Sequence, residues 1–186
     1  MFAFLFYLCY NYFGDIMYCC FTGHRPQSLP WKFDEISPLC MKIKTVLYDL
    51  TEQSILDGYT DFYCGMARGI DTYAAEAVIK SQNFFEGISL HAALPCPNQY
   101  TAWAKGDCKR YDYLLSKCAT RTLISPYYSQ SCMITRNKFM VDNSLRVIAV
   151  WNGSLKGGTA FTVRYAKNSG KEIYLVNPFD LSVTVI

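Results

Sequence analysis

The sequence predicts an α/β fold in three layers, a mostly parallel sheet with helices on both faces. Two observations carry that prediction. Short apolar runs alternate with longer segments of helical period along nearly the whole chain. In the run Val147-Ile148-Ala149-Val150-Trp151 every position is apolar, which suits a strand covered on both faces rather than one.

Each element has its own signal. "MYCCF" (17–21) reads as a first strand and ends in the turn-rich "TGHRPQSLP". Residues 36–58 read as a helix, with Leu39, Ile43, Val46, Leu47 and Leu50 spaced at three and four and Gly58 as its stop. A strand is expected at 60–64, a helix at 70–82, and a strand at 88–95 closed by Pro95 and Pro97. A helix from about 105 to 118 leads to a strand at 120–125, and 133–144 reads as a shorter helix. The strand 145–152, a helix at 157–170 with Gly170 beyond it, and a strand at 172–177 complete the series.

Composition bounds the function. The chain has 186 residues, 51% hydrophobic and 18% charged, in keeping with one globular domain. The net charge of +3 is scattered, unlike the basic stripe of a dedicated nucleic-acid binder. Nine cysteines show no C-x-x-C pair, and with two histidines, His24 and His91, no metal site is expected. Reduced, mostly buried thiols and a cytoplasmic location follow. Residues 1–16 are apolar and aromatic but lack a basic n-region and a small-x-small cleavage site. They read as an extension ahead of a single domain over 17–186, an over-called start being favoured over a membrane-active segment.

In a parallel sheet, ligands bind beyond the carboxyl ends of the strands. Four loops open there: Thr22-Gly23-His24-Arg25-Pro26, Gly65 to Gly69, "PCPNQYTAW" with Trp103, and "NGSLKGGT" with Lys156. Glycine lets a backbone approach a phosphate, and a helix that starts there adds unpaired N–H groups and partial positive charge. Thr159 stands at such a start, as cap or phosphate contact. Neither a G-x-G-x-x-G fingerprint nor a Walker loop is present. On the helix at 133–144, Met133, Arg136 and Met140 share a stripe with Asn137 beside them. That arginine either snorkels to the surface or points into a polar site.

The segments "CFTGHRP", "GMARGIDTYAAE", "ALPCPNQYTAW" and "RNKFMVDNSLRVIAVWNGSLKGGTAFTVRYAK" together resemble the YpsA-like branch of the SLOG superfamily. That superfamily joins DprA/SMF proteins and LOG-type nucleotide hydrolases on a Rossmann-like fold. The resemblance spans nearly all of 17–177 and implies a pocket for a nucleotide or a nucleotide derivative such as ADP-ribose. It assigns ligand contacts to Thr22, Gly23 and Arg25, to Gly65, Arg68, Gly69 and Asp71, and to Arg136, Asn137, Asn152, Gly157, Gly158 and Thr159. His24 reads as a polar loop residue or a phosphate contact, and Trp103 as a base-stacking or a packing residue. Asp71 reads as a ribose partner or as a carboxylate paired with a helix dipole.

One departure weighs against hydrolysis. LOG-type enzymes follow their glycine turn with a glutamate, whereas this chain has Ala160, Phe161, Thr162 and Val163. Glycosidic cleavage needs a carboxylate beside an oxocarbenium-like centre. The leading expectation is a nucleotide-binding sensor or regulator whose partner is the small-molecule nucleotide, with no other cofactor. A LOG-type N-glycosidase ranks second and a DprA-like single-stranded DNA binder third. No membrane partner is expected, and self-association stays open.

Overall fold

The structure, a computed structural model, describes residues 16–186. The expectation for residues 1–16 lies almost wholly outside that range. Seven strands form one sheet: β1 (Tyr18–Gly23), β2 (Asp61–Cys64), β3 (Ser89–Leu94), β4 (Thr120–Leu123), β5 (Arg146–Val150), β6 (Glu172–Val176) and β7 (Val183–Val185). Their spatial order is β4-β3-β2-β1-β5-β6-β7, parallel throughout except for β7 against β6. Five helices connect them: α1 (Pro38–Leu56), α2 (Ile70–Ser81), α3 (Lys105–Ser116), α4 (Cys132–Asp142) and α5 (Gly158–Asn168). This is the predicted three-layer arrangement.

The alternation of side chains along each strand divides the core in two. On one face Cys19, Phe21, Phe62, Cys64, Leu90, Ile148 and Val150 pack under α1, α2 and α3, against Ile43, Leu47, Ala74, Val78 and Leu114. On the other, Cys20, Ala93, Val147, Ala149 and Ile173 pack under α4 and α5, against Met140, Val141, Val163 and Ala166. All five positions of β5 are buried, so its unbroken apolar run answers to two layers.

Local chemistry sets the element ends. Ser37 caps α1, its hydroxyl accepting the Cys40 N–H at 3.3 Å, with Pro38 in the first turn. The expected start at 36 thus falls two residues early. β7 was not expected: Leu181, at φ +64°, turns the chain so that three exposed residues pair back onto β6. At the amino end of the sheet Arg146 is clamped by Asp57 at 2.7 Å and Glu172 at 2.6 Å, between the rings of Tyr59 and Tyr174.

The strand order reverses direction between β1 and β5. There the loop leaving β1 and the loop leaving β5 part to opposite faces and open a crevice at the carboxyl edge. Among the described residues no helix is long and apolar enough to cross a membrane.

Candidate functional site

The crevice holds a cleft of about 490 Å³, within the range of small-molecule sites. The β1 loop contributes Thr22, Gly23, His24 and Arg25, followed by Gln27 and Ser28. The β2 loop and α2 contribute Ala67 and Asp71, and α4 contributes Met133, Arg136, Asn137 and Met140. The β5 loop and α5 contribute Asn152, Ser154, Lys156, Gly157, Gly158 and Thr159.

The start of α5 is built to present unpaired amides. Gly157 precedes the helix at φ +98°, a conformation that disfavours any other residue, and supplies no side-chain cap. The first helical N–H with a backbone acceptor is that of Phe161, bonded to Gly157 O. The amides of the first turn therefore face the cleft with no acidic residue among them. Above this turn stand Arg25 and Lys156, neither of which forms an ion pair among the described residues. Arg25 only brushes the Met133 sulfur at 3.9 Å.

Arg136 is the deepest cation. It is buried, and its Nη1 donates to Gly65 O and, at 3.4 Å, to Ala93 O. Its Nε donates to Asn137 Oδ1 at 2.8 Å; Asn137 Nδ2 donates to Thr162 Oγ1 at 2.8 Å, and Thr162 donates to Gly158 O at 2.8 Å. This chain ties the β2 loop to the first turn of α5. Gly65 is required by close approach, since a Cβ there would overlap the Arg136 guanidinium and lie 2.7 Å from Asp71 Oδ2.

Asp71 faces Arg136 at 3.8 Å and accepts the Ala67 N–H at 3.2 Å. Burial pushes its carboxyl up from the usual range, against the pull of Arg136 and the Ala67 amide. The same burial lowers the Arg136 guanidinium. His24 Nε2 accepts the Asn152 N–H at 3.1 Å, which fixes the ring with its proton on Nδ1. Its pKa is lowered, chiefly by desolvation.

Four expected contacts lie elsewhere. Gly65 acts behind the cleft through its carbonyl. Arg68, Gly69 and Trp103 line a second, smaller pocket on the far side of the β2 loop. Arg68 neither enters the cleft nor pairs with Asp71; it bonds Asp107 at 3.1 Å and lies over the Trp103 and Phe33 rings. Trp103 packs edge-on against Tyr111, away from the α5 amides. Glu76 accepts from both Nε and Nη2 of Arg110, whose Nη1 donates to Glu35. Gln27, Ser28 and Ser154 were missed as cleft residues, and only their position beside the glycine- and proline-rich turns could have suggested them.

The model of the YspA SLOG family matches residues 19–181, a stretch that takes in every loop of the cleft. The chain belongs to that family. Among curated relatives, a UPF0398 protein of Bacillus thuringiensis (strain Al Hakam) is 26% identical over 153 residues, covering 81% of this chain and 82% of its own length. One from Bacillus cereus (strain B4264) is 25% identical over the same length. Two solved structures share the fold at 16% identity. DNA processing protein A from Streptococcus pneumoniae superposes with a TM-score of 0.57 over 87% of this chain and 50% of its own. The Helicobacter pylori protein, described for its single-stranded DNA binding mode, superposes with 0.59 over 86% and 65%. This SLOG chain thus spans half to two thirds of those larger proteins.

Proposed function

We propose that this family member binds a nucleotide or a nucleotide derivative of the ADP-ribose kind and acts as a sensor or regulator rather than a hydrolase. The observation that carries the reading is the first turn of α5. Its amides are uncapped, no carboxylate stands among them, and the unpaired cations Arg25 and Lys156 flank them. A phosphate on these amides meets hydrogen-bond donors and partial positive charge at once. Thr159 adds a hydroxyl beside them, and Arg136, held by Gly65, supplies fixed charge from below.

The cleft's carboxylate chemistry supports binding without cleavage. Asp71 is the one carboxylate lining the cleft among the described residues, and Arg136 and the Ala67 amide engage it. Glycosidic hydrolysis ordinarily uses two carboxylates, one of them open to the sugar. Thr162, in the stretch where LOG-type enzymes carry glutamate, is committed to Asn137 and Gly158.

A thermal-shift and calorimetric screen tests the reading, with nucleoside mono- and diphosphates, ADP-ribose and a short single-stranded oligonucleotide as probes. Nucleotide binding raises the melting temperature by mass action, and Lys156→Ala weakens it by about tenfold, the effect of one charge-assisted contact. Binding of the oligonucleotide alone, with no mononucleotide response, would overturn the proposal in favour of DNA. Release of free base from a nucleoside monophosphate would overturn its non-catalytic part.

A further inference from the structure

The free polar atoms of the cleft fall into two corners of opposite kind. One is the first turn of α5, whose uncapped amides stand with Arg25 and Lys156 and match an anion. The other is the pair Asp71 and Arg136, 6% and 5% exposed.

Both contacts of Asp71 use Oδ2, to the Ala67 N–H at 3.2 Å and to Arg136 Nη1 at 3.8 Å. Its Oδ1 has no partner among the described residues and is open to the cleft. Arg136 spends Nε on Asn137 and Nη1 on Gly65 and Ala93, which leaves Nη2 unpaired and open in the same way. A fixed acceptor and a fixed donor on one wall suit sugar hydroxyls, each of which both gives and takes a hydrogen bond. A phosphate placed there would meet the carboxylate's like charge.

The corners are one side chain apart. Asn137 accepts from Arg136 Nε at 2.8 Å, and its Nδ2 lies 3.9 Å from the Cβ position of Gly158. A ribose 5-phosphate bridges such a gap, its phosphate on α5 and its vicinal hydroxyls on Asp71 and Arg136.

Nothing comparable awaits a base. No Phe, Tyr or Trp lines the cleft, whereas sites that hold bases stack them on aromatic rings. Of its two methionines, Met140 is 1% exposed and the Met133 sulfur is taken by Arg25. Asn152 Oδ1 accepts the Ser154 N–H and the Ser154 hydroxyl donates to Lys156 O, so the polar groups of that loop satisfy one another.

Given that the cleft binds nucleotides, we propose that the unit it recognises is the ribose phosphate and that the base stays unread at the rim. Purine and pyrimidine nucleotides are then equivalent ligands. So is a ribose phosphate that carries no base, such as the terminal one of ADP-ribose.

Calorimetry of the unaltered full chain with AMP, GMP, CMP, UMP, ribose 5-phosphate, 2′-deoxy-AMP and ADP-ribose tests this, with no variant's folding at issue. The four monophosphates and ribose 5-phosphate bind within about threefold of one another. Loss of one hydroxyl contact makes 2′-deoxy-AMP about tenfold weaker than AMP. Ribose 5-phosphate at least about tenfold weaker than AMP, a similar spread among the four bases, or 2′-deoxy-AMP equal to AMP would each overturn the proposal while nucleotide binding itself stands. Binding of none of these compounds would overturn both.

Discussion

His24 Nε2 accepts the backbone N–H of Asn152 at 3.1 Å, joining the loop that leaves β1 to the loop that leaves β5 across the reversal of strand order. The bond needs a neutral ring at that nitrogen. Burial lowers the His24 pKa from its ordinary 6.5, so the unfolded chain binds the proton first as pH falls. The stability that His24 contributes is complete above about pH 6.5 and is lost as pH falls through its lower folded value. Urea unfolding at pH 7.5 and pH 5.5 checks this. Wild type loses more stability on acidification than His24→Gln, whose amide oxygen accepts the same N–H without titrating.

Arg136 and Asp71 share a buried site, so removing either alone strands the other. Arg136→Met is expected to destabilise by about 3–5 kcal/mol. Asp71→Asn combined with Arg136→Met should cost less than the sum of the single changes, by about 0.5–3 kcal/mol. Chemical denaturation of the four proteins in a double-mutant cycle gives the coupling directly. Additive effects would contradict the pairing.

Gly158→Asp separates folding from binding. The position opens α5, and a Cβ there meets only Asn137 Nδ2, at 3.9 Å. A carboxylate in the first turn is expected to stabilise the helix by about 0.3–1 kcal/mol through the dipole. The same charge stands where phosphate is proposed to sit, so nucleotide affinity falls by about tenfold or more. Melting temperature without ligand and calorimetry with ADP-ribose should therefore move in opposite directions.

Arg146 offers a control at the opposite end of the sheet. Its partners Asp57 and Glu172 are partly exposed, so solvent screens the pairs and the loss is moderate. Arg146→Ala is expected to cost about 2 kcal/mol, much of it from the stem packed between Tyr59 and Tyr174. Nucleotide affinity should not change, because the clamp closes the amino edge and the cleft opens at the carboxyl edge.

The layers, and the carboxyl edge at which the loops gather, were legible because periodicity is a local property. The buried run of β5 and the spaced leucines of α1 need no knowledge of partners. The α5 turn was legible for the same reason, since Gly157, Gly158 and Thr159 act through their own backbone. Contacts that depend on what lies across a loop were not legible. The sequence places Arg68 three residues before Asp71 and says nothing of Asp107, thirty-nine residues from Arg68, which holds it. Trp103 was left open between stacking and packing because its loop leaves the same edge as the others; its contact with Tyr111 lies across the fold. β7 carries too short a pattern to stand out beside Pro178, and it exists through a turn at Leu181.

The loop from Met66 to Thr72 gives its residues to two chambers in turn: Met66, Arg68, Gly69 and Thr72 to the smaller, Ala67 and Asp71 to the larger. The β1 loop does likewise, with Arg25 and Gln27 on one side and Pro26 on the other. The wall between the chambers is thus the backbone of these two loops, with Ile70 packed on Gly23 where they meet. Whatever presses Ala67 from the larger side moves the peptide that carries Arg68 on the smaller. The two rooms are built so that neither can change shape in private.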